Sequence, residues 1–506
     1  MSYYALMISS LKATLALSAK QYTILAQATQ SLEAAAQRGE FTAWSIACSK
    51  RLSDHTQQPL LVSCCYSDEW LRAAPNHQSL QSSNHPVFDL ASLTKPLLAG
   101  LSFCMLNGQD WQEKLFDPGI AAAALENLVL GQIALGQAQP ERILSSTGDL
   151  QSLRLIDLFS HQSGLPAWRW FGRGLYNPDQ RTLGSMHEGS SGSMLNFDSS
   201  RLFSFRRNLV AALLAQRETA KSPETSKKST YSDCGYYLLS KILEAEQSQS
   251  TGAYWRNALE RINESLGTQF AHASLTPEIA AHAVPFFRYL KTEDTGGRDA
   301  SSFPSYGPCN DSNANLLACL GPQVAEVSSH AGLFGSVGDV WKGFSYLVGT
   351  LGKHTPSGSL SAMKNDRFCF CLDTPTGPST TSAAPSEIAG EVFGHLGYTG
   401  TSAWFHRPTG NGWVLLTNRT SGRLESRTEP APRIWRFDLG DQCVFAIQEP
   451  GKAIAQVSAD DWLECRERHS EAGVLIWDSK QCGPFANISD LRRSTGALLW
   501  SFAATP

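Results

Sequence analysis

Ser92-Leu93-Thr94-Lys95 sets a hydroxyl and an amine three residues apart, a spacing at which one helical turn carries both side chains on the same face. A serine hydroxyl is a weak nucleophile at neutral pH, so attack on a carbonyl needs a base for its proton and N–H donors for the oxyanion that forms. Lys95 can be that base if burial strips its charge. A helix beginning at Ser92 would add unused backbone N–H groups and the positive end of the helix dipole. Ser-x-x-Lys also occurs at Ser9 to Lys12 and Ser361 to Lys364, so spacing alone selects nothing. Context favours Ser92: the apolar approach Val87-Phe88-Asp89-Leu90-Ala91 leads into it and the apolar helical run Leu97 to Leu101 follows.

Partner groups stand further along. Tyr231-Ser232-Asp233 occupies a loop that opens the apolar helix Tyr236 to Leu243, a place from which a phenol and a carboxylate can be aimed into a cleft. The same tripeptide at Tyr66-Ser67-Asp68 ends a strand instead. His395-Leu396-Gly397 lies in a late strand-like run. His161 closes a helical run that Gly164 and Pro166 stop, and it reads as a side chain that hydrogen-bonds loop backbone rather than as a catalytic group.

Positions 92, 231 and 395 meet only if distant elements pack together. Leu25, Ala28, Leu32 and Ala35 share one face of a helix over Tyr22 to Arg38, ended by Gly39. Phe41 to Cys48 and Pro59 to Tyr66 read as strands, and Leu97 to about Leu290 reads as mainly helical with long polar connections. Val392 to His406 and Gly412 to Asn418 read as two strands joined by the turn Pro408 to Asn411. These signals predict an α+β fold: an antiparallel sheet built from N- and C-terminal strands, flanked by helices, beside a mainly helical lobe. A first domain would span residues 1–419, its sheet lobe about 22–91 and 391–419 and its helical lobe about 97–340. In residues 420–506, Arg433 to Leu439, Gln442 to Gln448 and Gly473 to Trp477 are strand-like, and Ser458 with Asp461 forms a capping box. That segment is a C-terminal extension of the sheet or a small added α/β domain.

The 506 residues are 42% hydrophobic and 17% charged, a globular composition, and the net charge of −4 leaves no basic surplus for nucleic acid or an anionic membrane. A small-molecule partner is expected, and no apolar run approaches a membrane span. The twelve cysteines show neither Cys-x-x-Cys nor a His/Cys ligand spacing, so no metal and no cofactor is expected. They read as reduced, buried thiols of a cytoplasmic protein; the alternative is export, from a signal-like stretch after Met7 with Lys12 ahead of Ala13 to Ala19.

Together, Ser92-Leu93-Thr94-Lys95, Tyr231-Ser232-Asp233 and His395-Leu396-Gly397 resemble the three ordered motifs of the serine β-lactamase and penicillin-binding-protein-like superfamily. The flanking words Phe88 to Pro96, Leu158 to Pro166, His330-Ala331-Gly332-Leu333-Phe334 and Gly400-Thr401-Ser402 are similar to class C β-lactamases, related serine carboxylesterases and D-Ala-D-Ala carboxypeptidases. The resemblance implies a β-lactamase/transpeptidase-like fold in which Ser92 is acylated and Lys95 and Tyr231 handle its proton. It further implies an oxyanion hole made by the N–H groups of Ser92 and Tyr398, with Asp233, His395 and Gly397 orienting lysine or substrate. His330-Ala331-Gly332 matches the third motif by letter but precedes a helix. Leu396 stands where a threonine commonly binds a substrate carboxylate, which favours an ester over a β-lactam or a D-Ala-D-Ala peptide. The expected activity is therefore a serine hydrolase acting on an ester, amide or peptide, most simply a carboxylesterase, with β-lactamase, carboxypeptidase and non-catalytic ligand-binding regulator as alternatives.

Overall fold

Ser18 starts the first helix, α1 (Ala19–Gln37), with a reciprocal cap: its hydroxyl accepts the Gln21 N–H while the Gln21 side chain accepts the Ser18 N–H. The helix stops where Gly39 takes φ of 78° and Glu40 N–H reaches back to the Ala35 carbonyl, closing the last turn. Its buried stripe is Leu25, Ala28, Leu32 and Ala35, the face anticipated from spacing, and each leucine contributes about 1.5–3 kcal/mol by leaving water. The computed structural model describes residues 15–51, 57–66, 85–130, 153–169, 171, 205–206, 209–210, 213–214, 229–246, 251–276, 309–320, 325–353, 363–364, 367–375, 381–421, 424–427, 432–439, 442–468, 475–477 and 488–505. Residues 7–14 of the stretch after Met7, the other two Ser-x-x-Lys serines, and Ser67 with Asp68 lie outside them.

The strands are β1 (Trp44–Arg51), β2 (Gln57–Tyr66), β3 (Phe88–Asp89), β4 (Ala271–His272), β5 (Leu333–Gly335), β6 (Phe368–Cys369), β7 (Leu372–Asp373), β8 (Val392–Leu396), β9 (Ser402–His406), β10 (Gly412–Thr417), β11 (Leu424–Arg427), β12 (Arg433–Leu439), β13 (Gln442–Gln448), β14 (Ala455–Val457) and β15 (Leu475–Trp477). Among the described residues, ten of them form one antiparallel sheet ordered β14-β13-β12-β2-β1-β10-β9-β8-β7-β6. Both chain ends build it, because β1 lies between β2 and β10 with Trp44 opposite Cys64 on one side and Thr417 on the other. The other helices are α2 (Leu101–Asn107), α3 (Trp111–Phe116), α4 (Pro118–Leu130), α5 (Leu155–Phe159), α6 (Asp233–Glu246), α7 (Thr251–Leu266), α8 (Ser312–Cys319), α9 (Val337–Lys353), α10 (Ala459–Arg468) and α11 (Ile488–Ala503). No described helix is long and apolar enough to cross a membrane.

Alternation along the strands divides the core. Ile46, Val62, Trp413 and Trp435 point to one face, where α1 and α11 cover them with Leu25, Leu32, Leu499 and Phe502. Ala47, Phe405 and Leu416 point to the other face, against α9 and the helical lobe. This is the α+β arrangement expected from the distribution of strand signals.

Two expectations change, and one alternative left open is answered. The run Val392 to His406 is not one strand: Gly397 N–H bonds the Thr401 carbonyl at 2.7 Å, and the chain reverses into the β8–β9 hairpin. A side chain at Gly397 would meet the Leu90 carbonyl at 2.7 Å, and Gly400 has φ of 95°, so the two glycines permit a turn that the apolar flanks conceal. The helical middle also contains a small sheet, β3-β5-β4, whose short strands carry too few residues to show a period. Finally, the segment after 419 enlarges the main sheet, since β12 pairs with β2 from Arg433 opposite Tyr66 to Leu439 opposite Leu60. The unforeseen C-terminal helix α11 packs on α1, where Gln21 donates to the Thr505 carbonyl at 3.0 Å.

One buried ion pair ties these late elements to α1. Arg433 donates to both Glu33 oxygens at 2.6 and 3.1 Å and to the Thr42 carbonyl at 2.6 Å, while Trp44 Nε1 donates to Glu33 at 2.6 Å. Removing one member strands a buried charge, so Arg433→Met should lower the unfolding free energy by about 3–5 kcal/mol in chemical denaturation, and the double change Glu33→Gln with Arg433→Met should cost less.

Candidate active site

Ser92 sits on a strained approach. Ala91 has φ of 45°, a left-handed conformation that a residue with a side chain adopts at a cost of about 1–3 kcal/mol. Asp89 compensates: one carboxylate oxygen accepts the Ala91 N–H at 2.9 Å and the other accepts Asn310 N–H at 2.7 Å. Burial nevertheless lifts the Asp89 pKa to about 6. Instead of an ordinary helix start, Ser92 lies in a single 3-10 turn, Ala91–Leu93, followed by a π-helical segment, Lys95–Gly100, before α2. Pro96 cannot donate a backbone hydrogen bond there, and Gly100 allows the segment to press against Cys371. Thr94 fastens the floor, donating to the Ala91 carbonyl at 2.5 Å and accepting Leu333 N–H at 3.1 Å.

Ser92 keeps part of its surface open, whereas the Lys95 side chain has none. The Lys95 ammonium donates to Ser92 Oγ at 3.1 Å, Asp233 Oδ1 at 2.7 Å and the His330 carbonyl at 3.0 Å, which uses all three protons. Burial works against this charge, but the Asp233 carboxylate and the Tyr231 phenol outweigh it and hold the pKa above the usual lysine value. Lys95 therefore rests as an ammonium, and the condition under which it could serve as the base, loss of its charge on burial, is not met. The Lys95 ammonium lies 4.7 Å from the centre of the Tyr231 ring; burial raises the pKa of the phenol and Lys95 opposes that, leaving it neutral.

The loop bearing Tyr231 and Asp233 is fixed by the segment before it. Ser232 N–H bonds His161 Nδ1 at 3.0 Å, Ser232 Oγ donates to the Pro166 carbonyl at 2.7 Å and caps α6 through Gly235 N–H at 2.9 Å, and Asp233 N–H bonds the Ala167 carbonyl at 2.8 Å. His161 thus bonds loop backbone as its position suggested, with its own backbone at φ of 61°. Burial and the charge of Lys95 hold it far below its ordinary pKa.

His395 lies on β8 with its ring 6.1 Å from that of Tyr231. Its Nδ1 bonds the Leu396 carbonyl at 2.8 Å, which leaves Nε2 as a buried acceptor without a partner. Burial and then Lys95 lower its pKa to about 3, so this imidazole is neutral at any working pH. Leu396, the next residue, packs against the core beneath α1 and α11. Gly397 begins the turn that carries Tyr398, and this turn is sewn to the backbone just ahead of Ser92: Thr399 donates to the Asp89 carbonyl at 2.7 Å and Thr401 to the Leu90 carbonyl at 3.1 Å. The Tyr398 side chain is 49% exposed, at the rim.

Ser92, Lys95, Tyr231, Asp233 and His395 are thus brought together, with Gly397 and Tyr398 on the adjoining turn. Sequence reading missed Asp89 as the clamp on Ala91, the His330 carbonyl as a lysine ligand, and Arg492 of α11, which grips the turn carbonyls of Gly397 and Thr401 at 2.6 and 2.8 Å. Asp89 stood inside a quoted motif, so its place two residues before a strained alanine was at least visible; nothing in the sequence announced the other two.

A family model described as beta-lactamase matches residues 68–433. No match is found among curated protein sequences. Solved structures to which the chain is similar include a class C beta-lactamase from Rhodobacter sphaeroides, at 13% identity and TM-score 0.44, covering 78% of this chain and 93% of that one. The octameric penicillin-binding protein homologue from Pyrococcus abyssi is 15% identical with TM-score 0.44, covering 85% and 88% of the two chains. EstCE1, a hydrolase with promiscuous acyltransferase activity, is 14% identical with TM-score 0.42, covering 79% and 95%.

The lysine charge depends on one carboxylate, which makes its titration testable. Asp233→Asn removes the group that sustains the ammonium while burial remains, so the Lys95 pKa should fall, read from the lysine resonance by NMR or from the alkaline limb of kcat/KM. An unchanged titration would refute this account of how Lys95 stays charged.

Proposed function

The chain belongs to the beta-lactamase family and is a serine hydrolase, and from that premise we propose that it works through an acyl-Ser92 intermediate on neutral carboxylic esters. The observation that carries the reading is the contact set of one ammonium: Lys95 donates to Ser92 Oγ, Asp233 and the His330 carbonyl, and its nitrogen lies 4.7 Å from the centre of the Tyr231 ring.

A charged lysine beside a neutral phenol calls for a relay rather than a preformed base. As Ser92 Oγ bonds to the carbonyl carbon, its proton passes to Tyr231 Oη while Tyr231 releases its own proton to the leaving-group oxygen. Lys95 remains an ammonium throughout and stabilises negative charge developing on the serine and tyrosine oxygens. Backbone N–H groups of Ser92 and Tyr398 hold the tetrahedral oxyanion; its collapse expels the alcohol and leaves an ester on Ser92. Water then attacks this ester, handing one proton through Tyr231 to Ser92 and releasing the acid.

The preference for neutral esters rests on charge. His395 offers a neutral acceptor where a lysine would offer a cation, and nearby Arg367 is occupied by Asp373 through bonds of 3.0 and 2.8 Å. A substrate carboxylate gains no unpaired cation from either group, whereas a neutral ester loses little on entering.

Two measurements check this. Ser92→Ala should abolish both ester turnover and the mass increment left by a fluorophosphonate, with near-normal thermal stability; a variant that still labels would remove Ser92 from the mechanism. For the wild-type protein, kcat/KM for a p-nitrophenyl butyrate should exceed that for a chromogenic cephalosporin by at least about tenfold, on the order of the 1.4 kcal/mol that a modest electrostatic mismatch supplies. A reversed preference would favour the β-lactamase reading.

A further inference from the structure

Arg419 and Arg492 are 9% and 6% exposed, and neither meets a carboxylate among the described residues. Both grip the turn 397–401. Arg492 uses one terminal nitrogen for the Gly397 and Thr401 carbonyls, at 2.6 and 2.8 Å. Arg419 donates its backbone N–H to the Thr399 carbonyl at 3.2 Å, and its guanidinium lies 5.1 Å from the centre of the Tyr398 ring. Its side-chain carbons stand 3.1 and 3.3 Å from where a β-carbon on Gly400 would be. The two charges sense each other: burial and then Arg419 lower the Arg492 pKa to about 9.

Donors are left over on these arginines and on residues next to them in the fold's elements. The Nε–H of each arginine is buried without an acceptor, and so are the hydroxyls of Ser402, which follows Thr401, and Thr495, one helical turn beyond Arg492. Both hydroxyl-bearing residues have no exposed surface. Buried like charges and unused donors each cost free energy, and one negative ion relieves both.

Position argues for a free ion over a group carried by substrate. Helix α11 covers the sheet face that holds Trp404 and Leu415, while His395 looks out from the opposite face toward Tyr231. The turn itself stands between Arg492 and Ser92, and the small exposure of both arginines admits only a compact guest.

We infer that the space between α11 and the 397–401 turn is a binding site for one small inorganic anion of the halide class, held by Arg419 and Arg492. The ion neutralises the pair and braces the turn that bears Tyr398. Its presence does not depend on whether Ser92 is acylated.

The test uses the full chain with chloride and bromide as probes. Crystals grown in sodium bromide should show an anomalous peak within hydrogen-bonding reach of Arg419 Nε and Arg492 Nε. In solution, replacing sodium gluconate by sodium chloride at equal ionic strength should raise Tm saturably by about 2 °C, a shift lost in Arg419→Gln and in Arg492→Gln. If Arg492→Gln fails to fold, Arg419→Gln carries the comparison. A bromide map empty at this position, or a Tm that follows ionic strength equally in both salts, overturns the site.

Discussion

An ammonium group with no exposed surface is the constraint around which the molecule closes. Taking Lys95 from water costs several kcal/mol, and the charge survives because three acceptors surround it, two of them from distant parts of the chain. Asp233 is 138 residues away and the His330 carbonyl 235. Each must arrive with its own support, or the lysine would lose its proton or its position.

That support is itself built from buried polar contacts. The segment leading to His330 is anchored by Glu326, which pairs with Lys241 at 2.9 Å and with Arg206 and accepts the Tyr237 hydroxyl at 3.1 Å. Ser329 is bonded to Ser240 of the same helix at 2.8 and 2.9 Å. Helix α6 therefore holds both sides of the lysine cage: Asp233 at its first residue, and the His330 segment along its flank. Changing this helix would disturb the ammonium from two directions at once.

Geometry without access gives a useful contrast. Ser63 Oγ, His85 and Asp438 form a hydrogen-bonded chain with both contacts at 2.7 Å, the residue types and order of a hydrolytic triad. Ser63 has no exposed surface, so no carbonyl reaches its oxygen, and the chain instead ties β2 to β12. Ser328, His330 and Asp311 repeat the pattern, equally buried at the serine, with His330 contributing its backbone carbonyl to Lys95. The half-open Ser92 differs in access rather than in the number of its hydrogen bonds.

Residue order carried much of this protein. The motifs at 92–95, 231–233 and 395–397, the apolar stripe of α1 and the strand runs at both ends each depend on neighbours within a few positions, and local spacing records them. What spacing cannot record is the balance of charge at a point where distant segments meet. Whether Lys95 is neutral or charged was decided by Asp233, and whether the run after Val392 continued or turned was decided by two glycines packed against Leu90 and Thr417. Arg492 lies in a helix with a weak local signature, and its importance arises only from the carbonyls it reaches across the fold. Electrostatics and packing act through space, so protonation state, turn position and the brace behind the turn belong to the tertiary structure, while the residues that gather around Ser92 were already legible in the chain.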